Sequence, residues 1–452
     1  MASDKARHST TPRTIWDSIN QLLHSEALGG ILLILATVIA LVWANSPLGK
    51  YYFELWEKTY LSINLGGFEI SKNLHHWIND GLMVMFFFVV GLEIKREVLI
   101  GELSSPKKSA MPIAAAIGGM VVPALIYVGF NFGQDTIGGW GIPMATDIAF
   151  AIGIMALLGK KAPLSLKVFL TALAIVDDLG AVLVIALFYS SNIDVLNLVL
   201  GAIVLGLMFG GNWAGIRNVM FYAVLGIGGL WLAFLLSGVH ATVAGVLGAL
   251  AIPTDMRINK FQFRDDLQAL VQTFTKLGNP KSQVLEEEQL HTLNSVNKTI
   301  GKVQPTLQKL EHNMHPWVMY GVMPIFALAN AGVVFTGDAL GSLFRHPVSL
   351  GVFLGLLLGK VGGITLFSWI AQKLRIADLP SGTNWIQITG AGFMAGIGFT
   401  MSLFITALAF DSSEMQDFAK MGILFASLIA GVAGFLMIRN SNSPAPSEDE
   451  QH

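Results

Sequence analysis

Residues 171–189, TALAIVDDLGAVLVIALFY, set two adjacent carboxylates, Asp177 and Asp178, near the middle of a nineteen-residue apolar run. About 20 mostly apolar residues cross the hydrocarbon core of a bilayer, so the run reads as a membrane span. A charge at that depth costs from about 2.5 to more than 10 kcal/mol. Two neighbouring acids there are protonated, or hold a cation, or alternate between the two conditions. The third condition is exchange of a proton for a cation at one site. The structural alternative is a permanently protonated pair, hydrogen-bonded in the core.

The rest of the chain has the same character. Hydrophobic residues make up 53% of it and charged residues 13%, against about 25% charge in ordinary globular proteins. Lipid offers no partner to bare backbone, so spans are helices or a closed barrel, and continuous apolar runs select helices. The fold class is therefore an all-α polytopic membrane protein. Zero cysteines exclude disulfides and thiolate metal sites, and a net charge of −2 gives no reason to expect nucleic acid. The run 28–44 resembles a signal peptide, but its 17 residues and the 27 mostly polar residues before it favour a retained span.

About 12 spans emerge: 28–44, 74–94, 110–131, 140–159, 168–190, 194–211, 218–236, 239–253, 316–335, 347–370, 386–410 and 417–438. Lys and Arg number 22 in the ends and even loops and five on the odd-loop side, counting Lys420 at the outer edge of the last span, with Lys360 deep inside a span. That bias places both termini in the cytoplasm. The expected organisation is an N-terminal cytoplasmic segment 1–27, a transmembrane domain 28–438, and a disordered acidic tail 439–452. Within the domain, 45–73 contains TYLSINLGGFEIS, which reads as a short external β-hairpin. Residues 254–314 form a long cytoplasmic loop with helix-like stretches, either a solvated loop or a regulatory module.

Two spans carry breaks. Span 4 reads GIPMATDIAFAIG, with Pro143 followed by Thr146 and Asp147, and span 11 reads GAGFMAGIGFTMS, with Gly392, Gly396 and Gly398. Discontinuous helices at matching places in two halves mark a transporter site within inverted repeats. Spans 3–5 and 10–12 would be those repeats. Glycines that only permit close packing are the rival reading for span 11. Two half-helix N-termini meeting in the membrane would leave about +0.5 of charge each, which Asp147 would offset, and Lys360 would do the reverse where C-termini meet.

The sequence resembles the NhaA-type sodium/proton antiporters of bacterial inner membranes. The stretches that carry the resemblance are WINDGLMVMFFFVVGLEIKRE (77–97), IPMATDIAFAIGIMALLG (142–159), ALAIVDDLGAVLVIALFY (172–189), SGVHATVAGV (237–246), HPWV (315–318), PIFALANAGV (324–333), GLLLGK (355–360) and GIGFTMSLFI (396–405). One departure is local: Val361-Gly362-Gly363 follows Lys360 where the family usually has Pro-Leu-Gly. The resemblance implies that Asp178 is the principal Na⁺ or Li⁺ ligand and Asp177 its partner in binding or proton transfer. It gives Asp147 and Lys360 the dipole-compensating role, and alternatively lets Lys360 pair with Asp177 and release a proton. Thr146 would add a hydroxyl. Asp80 would line the external opening, or cap a helix. Glu93, Arg96, Glu97 and Glu311 resemble the family's pH-sensing funnel, against a bland reading as surface ion pairs. His240 is tied by resemblance to the pH response, against a structural role at a helix start. His312 and His315 read as membrane-edge anchors beside Trp317 rather than as a metal site.

The implied activity is electrogenic Na⁺(Li⁺)/H⁺ antiport with no cofactor beyond the transported ions. The implied partners are membrane lipid and a second copy docked through the 45–73 hairpin. There is no phosphate-binding loop of the GxxxxGKS/T type, so ATP is not expected to drive transport. Three rivals are weaker. A sodium-coupled symporter of an organic solute would need a substrate anchor such as an intramembrane Arg, and Lys360 is the only basic residue away from the span ends. An aspartyl protease needs its two acids on different helices, and Asp177 and Asp178 are neighbours. A channel conflicts with tight, charged ion sites.

Overall fold

Prolines and short polar side chains fix where the helices begin. Pro106 and Pro347 each open a helix, where a missing N–H leaves no intrahelical bond unmade. Asn384 accepts from the Gln387 N–H while the Gln387 side chain accepts from the Asn384 N–H, a capping box. The Asp194 carboxylate accepts from the N–H of Leu196 and Asn197. Gly238, at φ 80°, ends a helix in the left-handed conformation that a side chain resists.

This computed structural model describes residues 26–65, 68–190, 193–277, 284–335, 341 and 345–441. The expected N-terminal segment, apart from its last residues, and the acidic tail beyond Ser441 lie outside the described residues. In chain order the principal elements are α1 (Glu26–Ala44), β1 (Tyr60–Leu65), β2 (Phe68–Asn73), α2 (Met83–Ile100), α3 (Pro106–Asn131), α4 (Ile148–Leu157), α5 (Leu164–Phe188), α6 (Val195–Trp213), α7 (Val219–Ser237), α8 (Ala241–Ala251), α9 (Lys260–Lys276), α10 (Glu287–Val303), α11 (Thr306–Trp317), α12 (Met323–Asn330), α13 (Pro347–Lys373), α14 (Trp385–Ala395), α15 (Phe399–Ala409) and α16 (Ser413–Asn440). Among the described residues seven helical stretches are long and apolar enough to cross a membrane, and α14 with α15, bent by 44°, makes an eighth. Helices α1 and α8 are apolar but shorter. The chain is an all-α polytopic membrane protein with, among the described residues, one small two-stranded sheet.

The chain divides into two units. The first comprises residues 1–49, 114–174 and 330–452. Its helices approach through small residues: a Cβ on Gly118 would collide with the Gly363 carbonyl where α3 meets α13, and Gly30 of α1 faces Gly153 of α4. Such contacts replace the hydrophobic drive that lipid removes. The Val361-Gly362-Gly363 departure leaves α13 helical throughout, with a π-helical turn at Gly355–Gly359 just before Lys360.

The second unit comprises residues 50–113 and 175–329. Strands β1 and β2 pair antiparallel with Tyr60 opposite Asn73 and Leu65 opposite Phe68, and their Gly66-Gly67 connection lies outside the described residues. Trp77 Nε1 donates to the Leu61 carbonyl at 3.0 Å, tying the hairpin to the segment that leads into α2. In the 254–314 insertion α9 and α10 pack on each other, and the Arg257 N–H donates to the Lys302 carbonyl at 3.0 Å.

Helix ends differ from hydropathy ends. Helix α2 runs to Ile100 rather than 94, and the helix expected at 316–335 begins at Thr306 and stops at Asn330. Hydropathy stops at the first charges, whereas the i→i−4 ladder continues wherever water accepts the side chains.

Candidate functional site

Both expected breaks are present, and both belong to the first unit. The chain runs as a 3₁₀ helix, Asp135–Met144, containing Pro143, then turns extended at Ala145 and resumes as α4 with Asp147 at its N-cap. Proline removes an N–H and clashes with the preceding turn, so an α-helix does not continue through it. Helices α14 and α15 are separated by Gly396-Ile397-Gly398. A Cβ on Gly396 would meet the Leu356 carbonyl at 2.7 Å, so only glycine leaves that approach open.

Every helix end at a break must find partners for its last amides and carbonyls. The two breaks supply them to each other. The Asp147 N–H donates to the Ile397 carbonyl at 2.7 Å. Thr146 Oγ1 donates to the Ala395 carbonyl at 2.9 Å, at the end of α14. Ser402 Oγ donates to the Ile142 carbonyl at 2.8 Å. One Asp147 carboxylate oxygen accepts from the Phe150 N–H at 3.0 Å, and the other from the Thr400 N–H at 3.0 Å and the Thr400 hydroxyl. That carboxylate therefore faces the positive ends of α4 and α15 together. Lys360, wholly buried, donates to the Met144 carbonyl, the last of the 3₁₀ helix and a negative end. Charge and helix end have opposite sign at both places.

Thr400 and Ser402 are participants that the residue-type reading did not single out. Their only sequence signal is a hydroxyl within the first turn after a Gly-x-Gly break, and hydroxyls are common in membrane helices.

In the second unit Asp177 and Asp178 lie on α5, each 1% exposed. Consecutive helical residues diverge by about 100°, so the two carboxylates leave the helix in different directions. His240 precedes α8, and its Nε2 lies 2.7 Å from the Tyr189 carbonyl just past α5. Asp80 sits in the π-helical turn Trp77–Leu82, its Oδ2 3.0 Å from His76 Nε2 and its carbonyl accepting from Trp231 Nε1 at 3.0 Å. The cap of this helical segment is Asn73, whose side chain accepts from the His76 N–H, so Asp80 is not a cap.

Glu93, Arg96, Glu97 and Glu311 come together. The Arg96 guanidinium holds Glu97 and Glu311 at 2.9 Å each, and His315 Nε2 lies 4.0 Å from Glu93. Burial pushes the Glu311 carboxyl above its ordinary value against the pull of Arg96. Lys95 lies between Glu93 and Arg96 in sequence, and its residue type alone assigns it no role. Its ammonium donates to the carbonyls of Leu250 at 2.7 Å and Ile252 at 2.6 Å, closing the C-terminal end of α8. Burial pulls its pKa down.

A helical membrane protein whose two interrupted helices satisfy each other's ends around buried ionisable side chains has the architecture of a secondary transporter. Comparison with known proteins narrows the class. The family profile described as Na+/H+ antiporter 1 matches residues 20–438. The Na(+)/H(+) antiporter NhaA of Oleidesulfovibrio alaskensis is 51% identical over 415 residues, 92% of each chain. The Na(+)/H(+) antiporter NhaA 2 of Syntrophotalea carbinolica is 49% identical over 92% of this chain and 95% of its own. The Na(+)/H(+) antiporter NhaA of Wolinella succinogenes is 47% identical over 92% and 91%. The chain belongs to this Na+/H+ antiporter family, itself one of the type cases for transport through discontinuous helices.

Proposed function

We propose that the chain exchanges cytoplasmic Na⁺ or Li⁺ for external H⁺ across the inner membrane of a bacterium. The exchange is electrogenic, driven by the proton gradient, and serves sodium and pH homeostasis. The observation that carries this reading is the buried Asp177–Asp178 pair on an apolar helix of a chain from the antiporter family. Desolvation favours the neutral form of each acid, and a neighbouring carboxylate favours it further for one of the two. Such acids titrate as a pair. A small cation with hard oxygen ligands supplies the alternative neutral state, so H⁺ and Na⁺ compete for one site. Competition becomes exchange when that site opens to one face of the membrane at a time.

In this reading Asp178 is the principal ligand and Asp177 its partner in binding or proton transfer. Asp147 and Lys360 compensate helix ends, an assignment supported by their contacts with the Phe150 and Thr400 amides and with the Met144 carbonyl. Thr146 braces the same place. About 12 spans, with spans 3–5 and 10–12 as inverted repeats, bring both termini to the cytoplasm, in keeping with the 22-to-five distribution of basic residues. Glu93, Arg96, Glu97, Glu311 and His240 tune the response to pH. Asp80 lines the outer opening, and the β1–β2 hairpin joins two copies. The protein is a transporter rather than an enzyme, and it needs no cofactor beyond its ions.

The test is ΔpH in everted membrane vesicles on adding Na⁺, Li⁺ or K⁺. Wild type releases protons on Na⁺ addition, and Asp178→Asn does not. Sodium-gradient-driven uptake of an organic solute, without proton release, would replace antiport by symport.

A further inference from the structure

A cavity of about 640 Å³ opens on the first unit beside the crossing of the two breaks, within the roughly 300–1,000 Å³ usual for small-molecule sites. Its walls come from α1 at Val38 and Leu41, from α4 at Phe150 and Leu157, from α15 at Phe399, and from α16 between Leu424 and Leu436. Those last two residues are twelve apart, about 18 Å along a helix at 1.5 Å per residue. The cavity is therefore a slot running along the helices for more than half of a hydrocarbon core about 30 Å thick.

The chemistry of the walls restricts the occupant. Among the described residues no charged side chain lines the slot. Of its two hydroxyls, Thr37 already donates to the Leu33 carbonyl at 2.7 Å. Ser427, 7% exposed, has no hydrogen-bond partner among the described residues. A headgroup or a peptide with bare amides would lose its hydrogen bonds here. The volume spread over about 18 Å gives a mean cross-section of about 35 Å², room for an alkyl chain, which needs no hydrogen-bond partner. A span from a second copy would cover the same walls and leave them unlabelled by lipid, an outcome that the cross-linking experiment separates. Val38, on the apolar helix α1, is 49% exposed, and Leu428 and Val432, on the membrane-spanning α16, are 65% and 53% exposed, so the slot opens where lipid chains are the surrounding medium.

We propose that the slot is a binding site for an acyl chain of a membrane phospholipid, with the headgroup outside. The chain lies against Phe150 and Phe399, whose rings meet edge to face at 5.7 Å. Phe150 gives its N–H to Asp147, and Phe399 is the first residue of α15. The lipid chain thus buttresses the first turns of both half-helices that meet at the breaks. This inference rests on the membrane location of the helices and not on which ions are exchanged.

The experiment uses the full-length chain in phosphatidylethanolamine/phosphatidylglycerol vesicles doped with a phosphatidylcholine carrying a diazirine in its acyl chain. After irradiation, cross-links are mapped by mass spectrometry. Peptides covering 34–41 and 424–436 are labelled about tenfold above α6, which corresponds to about 1.4 kcal/mol of preference over bulk lipid. Helix α6 is the reference because its Ile203 and Leu207 are as exposed as the slot walls. Val38→Phe and Val432→Phe fill the slot from opposite walls and each return its labelling to the α6 level. Two separate variants are used so that misfolding of one leaves the other decisive, with Na⁺-dependent proton release in the same vesicles as the check on folding. Equal labelling of slot and α6, unchanged labelling in folded variants, or labelling by a free diazirine fatty acid but not by the phospholipid would each overturn the proposal.

Discussion

The crossing of the two breaks and the Arg96 cluster both bury charge, but different partners answer it. At the crossing, Asp147 and Lys360 meet backbone amides and a carbonyl held by helix geometry. In the cluster, Glu97 and Glu311 meet a guanidinium 36% exposed at the end of a long side chain. Backbone dipoles do not titrate and cannot turn away. Side chains do both, and neighbouring ones titrate together. The first arrangement therefore suits a fixed scaffold, and the second suits a response to proton concentration.

The contrast breaks most readily at the crossing. Lys360→Ala leaves the buried Met144 carbonyl, and Asp147→Ala the Phe150 and Thr400 amides, without a charged partner, so each lowers stability by about 1.5–3 kcal/mol for every such hydrogen bond lost, read from unfolding in detergent. Asp147→Asn keeps an acceptor and loses less. Variants as stable as wild type would remove the scaffold role. Lys95→Met frees two buried carbonyls at the end of α8 from a charged donor. A loss of about 1.5–3 kcal/mol follows, typical for hydrogen bonds to charged groups, and faster amide exchange after Ala249 locates it. Thr400→Val removes one hydroxyl from the Asp147 carboxylate while keeping the amide contact, a loss of about 1–3 kcal/mol.

The smallest effects belong to the cluster. A double-mutant cycle on Arg96 and Glu311 should give about 0.2–1 kcal/mol, weakening as salt rises, whereas salt leaves the crossing variants unmoved. Glu311 carries a raised pKa, so the folded state holds its proton more tightly than the unfolded chain does. Stability therefore falls as pH climbs from the ordinary glutamate value through the raised one. Glu311→Gln flattens that slope in a stability-versus-pH series, and an unchanged slope would assign it to another group.

What the sequence disclosed follows from which residues are costly in oil. Asp147, Asp177, Asp178 and Lys360 stand out because a charge in an apolar run demands a reason, and Pro143 with Gly396 and Gly398 marks the breaks. Thr400, Ser402 and Lys95 were missed because their partners are carbonyls, amides or a carboxylate distant in sequence. A backbone group leaves no letter behind. Residue type leaves Asp80 open between lining the external opening and capping a helix; Asn73, seven residues earlier, already occupies the cap. The ends of α2 and α11 were misplaced because charge ends a hydropathy run without ending a hydrogen-bond ladder.

The bonds between the breaks also set how the molecule can breathe. The amide protons of Asp147 and Thr400 are each held across the crossing, one by the Ile397 carbonyl and the other by the Asp147 carboxylate. Neither can swap with deuterium without parting the two breaks, whereas the Phe150 amide, capped within α4, can be freed by fraying that helix end. The first two should exchange at one rate, through a single cooperative opening, so whatever rearranges during a transport cycle carries this knot along whole.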